Sequence, residues 1–132
     1  MSIDINSVSL SINEIEIINN ISLKIEPGQL TTILGPNGSG KSTLLKIISG
    51  DILPSKGSIS MDTIFLNDID VKQQALKRSV MSQSQQILYD YSVEEIIEMG
   101  WVDDGYVGNS DIIKQKCRNV AKKCSVFHLL KR

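Results

Sequence analysis

Apolar and polar residues alternate with period two over the first 25 positions. Ile3 and Ile5 lead, Val8, Leu10 and Ile12 follow, and Ile21, Leu23 and Ile25 repeat the pattern. Alternation of this kind suits strands with one buried face. Asn13-Glu14 and Asn19-Asn20 supply turn chemistry between the runs, so an antiparallel meander is expected. Pro27-Gly28 interrupts it. Residues 30–34, bounded by Leu30 and Leu34, then read as a short strand buried on both faces. A Gly-rich loop follows, and after it a helical pattern from about Ser42 to Ile48, closed by Gly50.

Shorter elements fill the middle of the chain. Residues 53–57 (Leu-Pro-Ser-Lys-Gly) read as a turn, 58–61 and 64–66 as short strands, and 71–77 as a helix. Residues 79–82 suit another strand, ending at Gln83. Ser92 with Glu95 three residues on has the form of a capping box, with Val93, Ile96 and Ile97 as the apolar stripe behind it. Residues 103–109 read as a loop, and Ser110 suits the cap of a last helix. The change from strand-loop-helix to mostly helix places a boundary near residue 84. It separates a core over 1–83 from a second region over 84–132.

Composition narrows the class without touching the chemistry. The chain has 132 residues, 41% hydrophobic, and a formal net charge of −1, which suits one folded domain rather than disorder or a general polyanion binder. No apolar stretch approaches the roughly 20 residues of a membrane span. The first residues lack the basic and apolar regions of a signal peptide, so the cytoplasm is the expected compartment. Cys117 and Cys124 make neither a disulfide framework nor a metal-site spacing.

Charge is spread unevenly. Up to Ile113 there are 7 basic and 15 acidic residues, and from Lys114 onward 7 basic and none acidic. A basic tail can meet a membrane or nucleic acid. The simpler reading is a solvated helix face, because Ile113, Cys117, Val120, Ala121, Cys124 and Phe127 fall at helical spacing. His128, the single histidine, reads as a residue on that same helical region.

The chemistry lies in Gly35-Pro36-Asn37-Gly38-Ser39-Gly40-Lys41-Ser42, which fits the phosphate-binding pattern G-x-x-x-x-G-K-[ST]. Chance would produce the bare pattern in roughly one chain of this length in a few hundred. Here it also follows an expected strand and opens an expected helix. Glycines let successive N–H groups turn inward as an anion nest, and the helix dipole adds to the field. Lys41 is placed to reach the β- and γ-phosphates, Ser42 to ligate Mg2+, and Thr43 to stand near the α-phosphate.

The loop, continued by Thr43-Leu44-Leu45, resembles the ATP-binding subunit of ABC transporters, as do Ile21-Ser22-Leu23, Pro27-Gly28, Ser49-Gly50 and Pro54-Ser55-Lys56-Gly57-Ser58-Ile59. The resemblance implies an α/β P-loop NTPase fold of ABC type. That fold has an antiparallel β meander, an incomplete parallel core sheet and the start of a helical subdomain. It implies ATP and Mg2+ as cofactors, and it places Gln83 at the Q-loop, where that glutamine helps hold the metal and the attacking water. The implied partners are an integral membrane permease, a second ATP-binding subunit as a homodimer and, indirectly, a substrate-binding protein. No nucleic acid partner is expected, and the implied location is the cytoplasmic face of the membrane. Tyr91-Ser92-Val93-Glu94-Glu95-Ile96-Ile97-Glu98-Met99-Gly100, Ile64-Phe65-Leu66-Asn67 and the Ala75-to-Arg78 helix end are similar to the subgroup serving hemin, siderophore and cobalamin importers. The Tyr89-Asp90-Tyr91 stretch inclines the reading to hemin, although a capped amphipathic helix explains residues 92–99 without any cargo.

The family places an aromatic near Leu10 to Ile12 to stack on adenine, and this chain has none there. It also ends at Arg132, where the family begins its Leu-Ser-Gly-Gly signature; Walker B and the switch histidine have no counterpart either. The expectation is a truncated cassette that binds nucleotide and turns it over negligibly by itself. The strand over 30–34 is expected to lack its parallel neighbours and to expose its edges. Two other functions fit the same residues: a non-hydrolytic nucleotide-binding module, or a soluble ABC-type ATPase unlinked to transport.

Overall fold

The structure, a computed structural model, describes residues 1–81, 89–100 and 110–132. The chain forms two compact units, Met1–Met81 and Ser82–Arg132. Among the described residues no helix is long and apolar enough to cross a membrane.

The first unit is built on a long hairpin. β1 (Ile3–Ile12) pairs antiparallel with β2 (Ile15–Ile25). The two-residue turn between them has Asn13 at φ 49° and Glu14 at φ 65°, with Ile12 opposite Ile15. Two positive φ values make the primed turn whose twist matches the strands. β3 (Lys56–Met61) pairs with the other edge of β1, and the short β4 (Ile64–Phe65) follows β3, giving the order β2-β1-β3-β4.

Asn19-Asn20 does not turn the chain. β2 runs straight through it, so the expected meander is one hairpin with irregular pairing. Between the pairs Val8/Ile21 and Leu10/Ile18, β2 carries the extra residue, with Asn20 at φ 48°. Between Ile5/Leu23 and Val8/Ile21 the extra residue lies on β1, with Ser7 at φ 49°. These two bulges are mended across the sheet: Ser7 N–H donates to the Ser22 hydroxyl and Asn20 N–H to the Ser9 hydroxyl, both at 2.9 Å; a third register shift falls between Leu10/Ile18 and Ser11/Glu16. A bulge rotates the side chains after it to the opposite face. That is why Ile5, Val8 and Leu10 all reach the core although their parity changes.

α1 (Lys41–Ile48) lays Leu44, Ile47 and Ile48 on this sheet and shares a core with Val8, Leu10, Ile18, Ile59 and Met61. Its end is a Schellman motif, with Gly50 N–H bonded to Ile47 O at 3.0 Å and Asp51 N–H to Lys46 O at 2.9 Å. A single 3-10 turn (Leu66–Asp68) leads to α2 (Val71–Lys77). Buried Gln74 ties the two together, donating to Leu66 O at 3.0 Å and Ile69 O at 2.9 Å and accepting from Arg78 at 2.6 Å.

Two expected strands are absent from the described residues. Residues 30–34 make no sheet pairing, and Leu30 and Leu34 stand 96% and 85% exposed. The antiparallel sheet takes its partners from residues 3–25 and 56–65, and none of them pairs with residues 30–34. Residues 79–81 likewise form no strand, and Ser82 lies outside the described residues.

The second unit contains α3 (Val93–Met99) and α4 (Ser110–Lys123), followed by a 3-10 turn (Phe127–Leu129). The capping box at Ser92 and Glu95 forms as expected. Val93 N–H and Glu94 N–H bond to the carbonyls of Arg132 and Leu130, so the last residues brace the start of α3. Cys117, Ala121 and Leu130 are buried, whereas Val120, Cys124 and Phe127 from the expected apolar stripe face solvent. Lys122 lies 5.2 Å over the Phe127 ring, and His128 is exposed within the 3-10 turn. The expected loop over 103–109 lies outside the described residues.

Candidate functional site

The loop over residues 35–40 joins the unpaired segment 30–34 to α1. Its geometry follows from which residues lack a side chain. Gly40 takes the N-cap position of α1 at φ 84°. A Cβ on Gly40 would stand 2.7 Å from Ile18 Cδ1 and 3.0 Å from the Ile17 carbonyl oxygen, so only glycine lets the helix start this close to β2. Inside the loop a tight turn is closed by Ser39 N–H on the Pro36 carbonyl at 3.3 Å.

Lys41 begins the helix and turns its ammonium back over the loop. It donates to the Gly35 carbonyl at 2.9 Å and the Pro36 carbonyl at 2.7 Å. The start of α1 takes no side-chain cap, and its first turn holds no acidic residue. The helix N-terminus therefore presents N–H groups and a positive dipole end beside one lysine, with no carboxylate of the first turn to compete for them. An arrangement of this kind has the chemistry to hold a phosphate anion.

Ser42 is exposed on the first turn and Thr43 half-buried beside it. Among the described residues no group of three or more His, Cys, Asp or Glu could hold a metal. One serine hydroxyl with phosphate and water oxygens is a donor set that suits Mg2+, which keeps several waters and takes few protein ligands. The residues present thus fit a magnesium-phosphate group better than a metal held by protein alone.

The structure brings together Gly35, Pro36, Asn37, Gly38, Ser39, Gly40, Lys41, Ser42 and Thr43, as one continuous loop and helix start. Gln83 lies outside the described residues. On the expected adenine side, Leu10 is core at 5% exposed, and the apolar side chains facing solvent at the hairpin turn are Ile12 and Ile15, 45% and 69% exposed. A cavity of about 260 Å3 lined by Ile52, Pro54, Ile59 and Leu66 contains no residue of the loop and no cation. Anion chemistry therefore points to the loop and not to that cavity. Sequence reasoning missed Ile17 and Ile18 as the backing of Gly40; the adjacent apolar pair Ile17-Ile18, which breaks period-two alternation, was the available signal.

A family model described as ABC transporter matches residues 18–132. The chain belongs to the ABC transporter family. It is 39% identical over 95 residues to the hemin import ATP-binding protein HmuV of Rhodopseudomonas palustris (strain BisB5), covering 72% of this chain and 36% of that protein. To the HmuV of Nitrobacter winogradskyi it is 34% identical over 119 residues, covering 90% and 44%. To that of Pseudoalteromonas translucida it is 32% identical over 128 residues, covering 94% and 48%. This ABC chain thus spans less than half the length of these curated relatives. A nucleotide-free ATP-binding cassette from an ABC transporter superposes with a TM-score of 0.82 at 21% identity, covering all of this chain and 57% of that one. The fold is that of an ABC cassette, and the ABC chain corresponds to its N-terminal part.

Proposed function

We propose that this chain binds Mg-ATP on residues 35–43 as part of the ATP-binding subunit of an ABC importer for hemin or a related iron chelate. The observation that carries the nucleotide reading is Lys41 folded over a loop that ends in an uncapped helix N-terminus. Support for the cargo comes from the HmuV relatives, whose names describe hemin import.

Each residue has a defined task in this reading. The N–H groups of residues 38–43 surround the β-phosphate, Lys41 neutralises the β- and γ-oxygens, and Ser42 gives its hydroxyl to Mg2+. Gln83 belongs to the same reading as the Q-loop residue that orients the metal and the attacking water. A permease and a second ATP-binding subunit are its proposed partners, at the cytoplasmic face of the membrane.

The 132 residues contain no Leu-Ser-Gly-Gly and no apolar run ending in Asp-Glu. Phosphoryl transfer needs an oriented water and a fully held metal. A second reading follows from that observation: this chain by itself binds nucleotide with negligible turnover.

Titration with a fluorescent ATP analogue, with and without Mg2+, tests the site. Magnesium-strengthened binding that Lys41→Ala abolishes is expected. Ser42→Ala should keep the magnesium-free component and lose the increment. Binding indifferent to Lys41→Ala overturns the reading, and phosphate release above the Mg-ATP blank that disappears in Lys41→Ala overturns the second one.

A further inference from the structure

We infer that Ile18 is a positioning residue for the phosphate loop: with the Ile17 carbonyl it forms the seat on which Gly40 rests, and so sets where the N-terminus of α1 points. The inference rests on the nucleotide reading of residues 35–43 and adds a residue outside that motif.

The seat is made by an irregularity in β2. Leu10 pairs with Ile18 and Ser11 with Glu16, so Ile17 is an extra residue without a partner of its own on β1. The bulge brings the Ile17 carbonyl and the Ile18 side chain to the same place, 3.0 Å and 2.7 Å from where a Cβ of Gly40 would stand. Ile18 is itself locked at 3% exposure between Leu10 and the α1 face that carries Leu44 and Ile47. Its δ-methyl therefore transmits the position of the sheet to the one residue where the loop becomes a helix.

Position matters here because every contact the loop would make with a phosphate is a hydrogen bond or a charge at close range. Such bonds weaken steeply beyond about 3.2 Å. A shift of the helix start by a few tenths of an ångström moves several N–H groups together, whereas the same loss of volume elsewhere in the core leaves them in place.

Ile18→Val removes the δ-methyl at the seat. Ile59→Val removes the same group from an equally buried position on β3, opposite Ile5. Circular dichroism melts confirm that both variants are folded and set a common temperature for comparison. Two readouts follow. One is Mg-ATP affinity. The other, measured without nucleotide, is amide exchange at Leu44, whose N–H bonds to Gly40 O at 2.8 Å in the first helical turn.

Ile18→Val is expected to weaken Mg-ATP binding by about three- to tenfold and to speed exchange at Leu44, with Ile59→Val leaving both near the wild type. Equal effects of the two substitutions on exchange and affinity overturn the inference and make Ile18 an ordinary core residue. If the wild-type chain binds no Mg-ATP, the nucleotide reading fails, and the exchange comparison still decides whether Ile18 seats the loop.

Discussion

Lys41 donates its ammonium protons to the carbonyl oxygen of Gly35, 2.9 Å away and six residues earlier in the chain. The loop is thereby closed by its own lysine, and the positive charge is held over the opening that a phosphate would fill. Phosphate oxygens and the two carbonyls compete for the same donors. Phosphate oxygens win that competition because they set a full negative charge against the ammonium, where a carbonyl offers only a dipole.

Stability and binding should therefore separate at this residue. Lys41→Ala removes two bonds to exposed carbonyls that water can satisfy, and the cost to folding is expected to stay under about 1 kcal/mol. Affinity for Mg-ATP should fall by at least about tenfold, because the lost bonds to phosphate are charge-assisted. Calorimetric titration beside a thermal melt measures both. A large drop in melting temperature with unchanged affinity would show that the lysine serves the fold.

Gly57 makes a second, purely structural demand. At φ +82° it sits where a Cβ would collide with the carbonyls of Asn6 and Ser7, on the bulge of β1. Gly57→Ala is expected to destabilise the first unit by about 2–3 kcal/mol, since backbone and not a flexible side chain would have to move. Denaturant unfolding checks this. A midpoint equal to wild type would mean that β1 and β3 shift apart freely.

Acid should weaken the start of α3. Glu95 accepts from both the hydroxyl and the backbone N–H of Ser92 at 2.7 Å, and these bonds hold its carboxyl below the ordinary glutamate range. A depressed folded pKa stabilises above the unfolded value, and that contribution is lost as pH falls through the folded one. Helicity of the second unit should accordingly decline as pH drops below the usual glutamate range. In Glu95→Gln the decline should flatten. An identical pH profile for both chains, followed by circular dichroism, would remove the capping box as its cause.

Leu30 and Leu34 expose almost their whole side chains on a segment without sheet partners. An unpaired apolar run is a template for association with another chain. Leu30→Lys is expected to shift the chain toward monomer in sedimentation velocity while leaving its melting temperature within a few degrees. Unchanged association would locate the sticky surface elsewhere, for example at Leu76 and Met81, which are also exposed.

Much of this molecule can be read directly from the order of its residues. The helices over 41–48 and 71–77 and the capped helix after Ser92 lie where the pattern puts them, because capping and 3.6-residue periodicity act within a few positions. The phosphate loop is equally local: nine adjacent residues and the glycines among them carry its chemistry. Membership of the ABC transporter family was visible in the same residues, and the family match over 18–132 agrees with it.

The departures all involve partners distant in sequence. Asn19-Asn20 has the composition of a turn, yet the pairing of β2 with β1 carries it straight on and leaves a bulge. The change of apolar parity, from Ile5 to Val8 and from Ile18 to Ile21, marks two of the three bulges, but only the register identifies them as bulges rather than strand ends. Residues 30–34 have the makeup of a strand, and a strand exists only where another backbone offers its bonds. Likewise the apolar stripe of α4 buries Cys117 and Ala121 and leaves Val120 and Cys124 exposed, because burial depends on what packs opposite. Sequence alone therefore determined the candidate phosphate loop and the helices beside it, both set by neighbours in the chain. Tertiary structure decided the sheet register, the bulge that seats Gly40 and which apolar residues are buried, since each needs a surface supplied from elsewhere in the fold.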